Sequence, residues 1–514
     1  MIVKKLILST GAAILVSAVF AQVKLATPFA DGMVLQRDCD VAVWGTADAN
    51  ESVSVTFGGV TRQTVAKDGK WMVKLPPMKA SKESRELKVN DIVLKDVLVG
   101  EVWFCSGQSN TEMPLVGGSP HFSDRIGRLV AQMTEKPYVR FVYASNYKFS
   151  LEPKREAAYK VVWKKATRDN LMNAPSFSAM GMYFALELYS ALDIPIGIVG
   201  SYWGGTNIDA WTPASGYDGK AELQEVANRK KIPANEWTDQ CKQGPVCAAH
   251  QQTSVLYNEM VAPWTPMAMR GFIWYQGCHN SGESQRYGSK MHALYDGWAK
   301  EFANPNLKLY FVQIAPFSHS WWGLHEQQAK FAAEEKNAKM VVTADIGNNH
   351  DIHPWEKETI GKRLAILALK YDYGFDKLVA DSPTVASAIT VGDAIELKFN
   401  DAKGLYAYDP AWDIDYGFEV QGEDQNGPWK KAFVVNANDG VTNAAPWKTR
   451  GEIKGDKLVV RADGVKSPRK VRYLYQRPWI GKIYSKDSGL PVGPFEAEVT
   501  KVVAEPQSAQ SSGK

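Results

Sequence analysis

Ser109 lies in Gly107-Gln108-Ser109-Asn110, directly after the apolar run from Val97 to Cys105. That run reads as a buried strand, and Gly107 lets the backbone turn sharply where it ends. A serine in such a turn shows its hydroxyl at the open end of a sheet, where open α/β folds put their ligands. The chemistry on offer is nucleophilic. A serine hydroxyl attacks an acyl carbon only when an adjacent base takes its proton. Taken alone, the motif reads more readily as an ordinary strand-to-helix turn with Ser109 as a capping residue.

Three later segments reverse that balance. Gly200-Ser201-Tyr202-Trp203-Gly204-Gly205-Thr206-Asn207 follows the strand-like stretch from Ile194 to Val199. Gln276-Gly277-Cys278-His279-Asn280 follows Gly271-Phe272-Ile273-Trp274-Tyr275. Asp351-Ile352-His353-Pro354 precedes a helical stretch, Lys362 to Lys370. Each places polar or glycine residues just after an apolar strand or just before a helix, and converging strand ends are where a catalytic pocket is expected.

The elements that must position these blocks follow from periodicity. Residues 22–96 alternate in runs such as Val41-Ala42-Val43-Trp44 and Val53-Ser54-Val55-Thr56-Phe57, punctuated by Gly45, Gly58-Gly59 and Pro76-Pro77. They read as a small all-β domain. Residues 97–376 alternate strand-like and helical runs, with amphipathic helices predicted over Ala179 to Leu192 and His292 to Phe302. That pattern is an α/β catalytic unit. Residues 377–503 return to strands, as in Ala394 to Phe399 and Lys457 to Val460, and read as a second β domain of sandwich type. Residues 504–514 form a polar Ser/Gln tail expected to be disordered.

In this order the four blocks resemble the SGNH hydrolase superfamily, and more narrowly the sialate O-acetylesterase family of carbohydrate esterases. Phe29 to Arg37, Leu256 to Pro263, Tyr310 to Phe317, Val471-Arg472-Tyr473 and Gly489 to Phe495 are similar to further blocks of that family. The resemblance therefore covers nearly the whole chain beyond residue 21. Two positions depart from the family pattern. Gly277-Cys278-His279-Asn280 stands where Gly-Glu-Ser-Asn is usual, and Thr111 where Met is usual. The resemblance implies an α/β, SGNH-type (flavodoxin-like) three-layer hydrolase domain flanked by all-β domains. It also implies a secreted serine esterase that removes O-acetyl groups from sialic acid or a plant-type glycan.

Under that resemblance Ser109 is the nucleophile and His353 the base, passing the proton on to the sugar oxygen as it leaves. The superfamily commonly places an acid three residues before the histidine, but this chain has His350 there. Asp351, two residues before, is the expected orienting acid, because residues two apart in an extended loop project to one side. Asp345 and a backbone carbonyl are the alternatives. The expected oxyanion hole combines the Ser109 N–H, the Gly205 N–H with Gly204 close behind, and a side-chain amide. By resemblance that amide is Asn280, with Gln276 as substitute. Such donors meet charge that develops only in the transition state. Of the 17 Trp, Trp203, Trp321 and Trp322 are expected to line a sugar cleft, the last two as an exposed platform. Trp103 and Trp274 are expected in the core.

Composition bounds the alternatives. A chain of 514 residues holds two to four domains with ample core. Lys4 and Lys5, the apolar Leu6 to Phe20 and the small-residue site before Gln22 read as an export signal spanning residues 1–21. No later run reaches the roughly 20 apolar residues that span a bilayer. The net charge of +4 points to neither nucleic acid nor acidic lipid. Five cysteines leave at least one unpaired, and Cys241 and Cys247 flank a turn-rich loop that a disulfide could close. No His/Cys/Asp/Glu cluster has metal-ligand spacing, and no cofactor is expected. Two rival readings remain: an esterase for lipid or aryl esters, and a glycan-binding protein with a dead hydrolase domain.

Overall fold

The computed structural model describes residues 23–115, 136–145, 147–172, 177–229, 231–232, 249–318, 321–347, 350–408, 416–424, 427–435, 450–453, 457–475 and 480–503. The expected export signal, the expected Cys241–Cys247 disulfide and the tail expected over residues 504–514 lie outside these residues. The central sheet is built on β1 (Ile92–Gly107), β2 (Lys136–Tyr143), β3 (Lys164–Ala166), β4 (Ile196–Tyr202), β5 (Gly271–Tyr275), β6 (Lys308–Val312) and β7 (Ala338–Val341). Their order is β3-β2-β4-β1-β5-β6-β7. All neighbours are parallel except β3, which runs antiparallel to β2.

The chain builds β2 and β4 on one side of β1 and then crosses to build β5, β6 and β7 on the other. The carboxyl end of β1 is therefore the topological switch point, the place where such sheets open a crevice for ligands. The burial of β1 reports its two jobs. Ile92 to Asp96 alternate in exposure, as a half-solvated strand should, and every residue from Val97 to Gly107 is buried. The first part pairs antiparallel with Ser81–Val89, and Leu98 to Gly100 pair in parallel with Val34–Gln36. From Glu101 on, β1 lies between β4 and β5. Trp103, Cys105 and Trp274 are core residues, as their place on apolar strands implied.

The helices that complete this unit are α1 (Ser109–Glu112), α2 (Ala179–Leu192), α3 (Tyr287–Glu301), α4 (Trp322–Glu334) and α5 (Lys357–Asp372). The α2 helix spans the residues its periodicity predicted, with Ser178 Oγ accepting from the Gly181 N–H as N-cap. The α5 helix packs on α2, with Gly361 set against Met180, Tyr183 and Phe184. Strand systems lie to either side in sequence. One three-stranded sheet joins Lys24–Leu25, Val41–Thr46 and Lys70–Leu75. After residue 380 an eight-stranded and a three-stranded sheet enclose their own apolar cluster, to which Val342 and Ala344 contribute.

Two segments are tied to β1 by Glu101, whose side chain is fully buried. Arg270 donates through Nε and Nη2 at 3.0 Å each, Gln36 Nε2 donates at 3.1 Å, and Arg37 Nε completes the set. Burial alone would raise the Glu101 pKa, but the two guanidinium groups outweigh it and hold the carboxyl below its ordinary value. Glu101→Ala would remove the carboxylate partner of Arg270 and leave Arg37 only its 3.5 Å pair with Asp38. We expect a loss of about 3–5 kcal/mol of stability, read as a lower melting temperature. Glu101 lies six residues before the end of β1, about 20 Å from the site. The folded fraction should therefore keep its activity per molecule.

Candidate active site

At the end of β1 the backbone of Gly107 takes φ +140°, and a Cβ there would meet the Tyr275 carbonyl oxygen and Thr111 Oγ1 at 2.4 Å each. Only glycine allows that approach. The chain then turns into α1, and Ser109 is its first helical residue. Gln108 stands at the cap position and makes no side-chain capping bond. Ser109 is therefore not a cap. At the first turn its N–H has no intrahelical acceptor.

Ser109 Oγ lies 2.9 Å from His353 Nε2. Asp351 Oδ1 lies 3.3 Å from His353 Nδ1 and also accepts from the His353 backbone N–H at 2.8 Å. The contact is thus an Asx turn, a carboxylate bonding the backbone two residues on, and not the side-by-side projection of an extended loop. Trp355 Nε1 donates to Asp351 Oδ2 at 3.2 Å, fixing the second oxygen. Asp345 is engaged elsewhere, in a bidentate pair with Arg363 at 2.8 and 2.7 Å. Burial lowers the His353 pKa, and the positive charge of Lys357 lowers it further, against an opposing pull from Asp351.

Gly204 backs onto the serine: a Cβ there would sit 3.2 Å from Ser109 Cβ. Its N–H donates to Glu112 Oε2 at 2.5 Å, and Tyr147 donates its hydroxyl to the other oxygen of Glu112. Gly205 has φ +69° and open space around it, and its N–H has no partner among the described residues. Gln276 and Asn280 form a buried network instead of touching the serine. Asn280 Oδ1 accepts from Ile208 N–H at 3.0 Å and from Gln276 Nε2 at 2.8 Å, and Asn280 Nδ2 donates to Glu283 Oε1 at 3.0 Å. Gly277 N–H donates to Gln108 Oε1 at 3.1 Å, which joins this network to the Ser109 turn.

Trp203 is half-buried, stacked on His250 with ring centroids 4.9 Å apart and edge-on to Tyr147. The expectation of an exposed platform needs correction at Trp321, whereas Trp322 is half-buried. Trp321 is 4% exposed and faces Phe317, so it is no exposed platform. Trp322 opens α4 and packs on Tyr475. The segment is a helix start and not a polar loop, and a helix entering the core carries its first large apolar residues inward. Reasoning from sequence gave no role to Asn110, Glu112, Tyr147, His250 or Lys357. The only signal for Asn110 and Lys357 was proximity, one residue after Ser109 and four after His353. Among the described residues no group of three or more His, Cys, Asp and Glu is arranged to hold a metal. None of their helices is long and apolar enough to cross a membrane.

A family model for carbohydrate esterases, sialic acid-specific acetylesterases, matches residues 99–370. The sialate O-acetylesterase of Homo sapiens is 29% identical over 396 residues, covering 68% of this chain and 71% of that protein. That of Rattus norvegicus is 28% identical over 408 residues, covering 68% and 74%. The crystal structure of a carbohydrate acetylesterase from Xanthomonas citri superposes with TM-score 0.75 at 30% identity, covering 93% of this chain and 99% of that one. An α/β fold with these matches defines a carboxylic ester hydrolase. The chain belongs to the sialic acid-specific acetylesterase family of carbohydrate esterases, the family its four sequence blocks resembled.

Two substitutions separate the candidate acids. Asp351→Asn should leave KM near its original value and lower kcat by at least about a hundredfold, by analogy with the serine-protease template in which the same change favours the wrong imidazole tautomer. Asp345→Asn should keep kcat within about tenfold and cost about 1–3 kcal/mol of stability, because it weakens the pair with Arg363. Steady-state kinetics on one acetyl ester, with thermal melts of both variants, checks the pair. A severe kcat loss confined to Asp345→Asn would transfer the role to that residue.

Proposed function

We propose that this chain is an exported serine esterase that removes O-acetyl groups from acetylated sugars, sialic acid or a plant-type glycan, through an acyl-enzyme. The 2.9 Å contact between Ser109 Oγ and His353 Nε2, at the switch point of the sheet, carries the reading. With Nδ1 turned to the Asp351 carboxylate, Nδ1 holds the ring proton and Nε2 is free to accept from the serine hydroxyl. Ser109 Oγ attacks the acetyl carbonyl as His353 takes its proton. The sugar oxygen then leaves with that proton. Water, deprotonated by the same ring, releases acetate. The Ser109 N–H and the Gly205 N–H are the proposed oxyanion donors, with Asn280 and Gln276 bracing the Gly205 loop through Ile208 and Thr206. Trp203 is the proposed sugar platform.

Residues 1–21 are the export signal, 22–96 a β domain, 97–376 an SGNH-type three-layer catalytic domain and 377–503 a sandwich-like β domain. The parallel sheet of β1 to β7, with strand systems on both sides of it in sequence, supports that division. The named activity of the relatives supports the substrate class.

Ser109→Ala should abolish hydrolysis of 4-nitrophenyl acetate without moving the melting temperature, and the native protein should release acetate from acetylated glycans. Preference for long acyl chains would favour a lipid esterase. Inactivity of the native protein would favour a glycan-binding role. A variant that retained most of the native kcat would remove Ser109 from the mechanism.

The pH profile gives a second test. The base form of His353 is the working form, so activity should fall as pH drops through its pKa. Because burial and Lys357 lower that pKa, the acid limb of kcat/KM should lie below the ordinary histidine value of 6.5. A limb at or above 6.5 would contradict this environment for the base.

A further inference from the structure

Lys357 opens α5 with its side chain 1% exposed, and among the described residues it makes no ion pair. An ammonium in that position is expensive to bury, and burial lowers the Lys357 pKa to about 7. Its contacts are few and specific. Nζ donates to Asn110 Oδ1 at 2.6 Å and lies 5.1 Å from the centre of the Tyr275 ring. The Asn110 amide, 2% exposed, uses its other end to donate from Nδ2 to the Ile352 carbonyl at 3.1 Å. Asn110 follows the nucleophile Ser109, and Ile352 precedes the base His353. One amide thus spans the two loops that must meet.

Orientation is what the lysine adds. An amide can rotate by half a turn with little change in shape. Turned over, Asn110 would set its NH2 against the Lys357 ammonium and its oxygen against the Ile352 carbonyl, two repulsive contacts in place of two hydrogen bonds. We propose that Lys357 is a positioning residue for the esterase reaction. It locks the Asn110 amide so that Asn110 clamps the Ser109 turn to the His353 loop, and its charge keeps the His353 ring in its base form. The inference rests on the catalytic roles proposed for Ser109 and His353.

The charged and titratable groups facing Lys357 are consistent with this second effect. Glu356 and Asp351 on its own segment favour its charge. Cys278, after β5, is a neutral thiol whose pKa burial pushes up to about 12. Tyr275 of β5 presents a ring face, and Asn110 of α1 a neutral amide. His353 itself feels Lys357 and, in the opposite sense, Asp351 and Glu112.

Lys357→Met tests the clamp, because it keeps the length and the apolar stem but removes the donor and the charge. We expect kcat on an acetyl ester to fall about 10–100-fold, the cost of a reacting group held slightly out of place, with KM little changed. The acid limb of kcat/KM should move to higher pH. The His353 ring titration, followed by NMR and assigned against His353→Gln, should move with it. The melting temperature should hold or rise, because an unpaired buried charge is gone. Asn110→Ala should show a similar kcat loss, and the double variant should be no worse than the poorer single one, since both remove the same bridge. A purely structural lysine would instead lower the melting temperature and leave the titration in place. An unmoved His353 titration, or losses that multiply in the double variant, would overturn the clamp. The NMR readout needs no turnover, so it stands apart from the catalytic reading, which retained activity in Ser109→Ala would overturn.

Discussion

The end of β1 runs so close to β5 that the carbonyl oxygen of Tyr275 fills the space where a side chain on Gly107 would begin. The site depends on this contact. The Gln108 N–H donates to the same Tyr275 carbonyl at 3.1 Å, and Thr111 Oγ1 donates to it at 3.0 Å. One carbonyl therefore collects the donors of a turn that would otherwise carry unsatisfied backbone groups. With the turn pinned to β5, Ser109 comes out on the far side, facing the loop after β4 and the segment before α5. The serine is set by a steric constraint, and the hydrogen bonds then hold it there.

Much of this was legible in the residues, for physical reasons that differ by element. Buried strands announce themselves as unbroken apolar runs, so β4, β5 and the buried part of β1 were read to within about three residues, whereas the half-solvated start of β1, Ile92 to Asp96, was not. The α2 helix was read to the residue from its periodicity, and its cap, Ser178, and its end, Asp193 in the left-handed region, fix those limits locally. The start of α5 was missed by five residues, since Lys357 and Glu358 look like loop residues until their burial is known. Distances between blocks far apart in sequence were not legible. Nothing in Asp351-Ile352-His353 says that the aspartate closes an Asx turn beneath the ring. The Trp321-Trp322 pair was misread because polar neighbours suggested a loop, whereas the following residues form a helix that draws Trp321 inward. The carboxamides of Gln276 and Asn280 carry the family pattern, yet their partners are one another, Thr206, Ile208, Glu283 and Tyr287.

Two buried charges in this molecule are treated in opposite ways, and the contrast separates frame from machinery. Glu101 is wrapped by Arg37, Arg270 and Gln36, so its charge is matched and its lone pairs are used. Such a group holds segments together and has no reason to change state between pH 5 and 8. Lys357 has no such partner. Its donor goes to a neutral amide and its remaining stabilisation comes from a ring face and from carboxylates at a distance. A full ion pair there would cancel the field that the lysine exerts on His353. It would also take from the Asn110 oxygen the donor that Lys357 supplies. An unmatched charge is worth keeping only if its field acts on something, and the group beside it is the ring that faces Ser109. The same reasoning explains why the Asp351 carboxylate stays partly in solvent, with side-chain exposure of 39%. Under the proposed roles, a solvated acid orients the ring without overpowering the lysine, which leaves the proposed base neutral and ready to accept a proton.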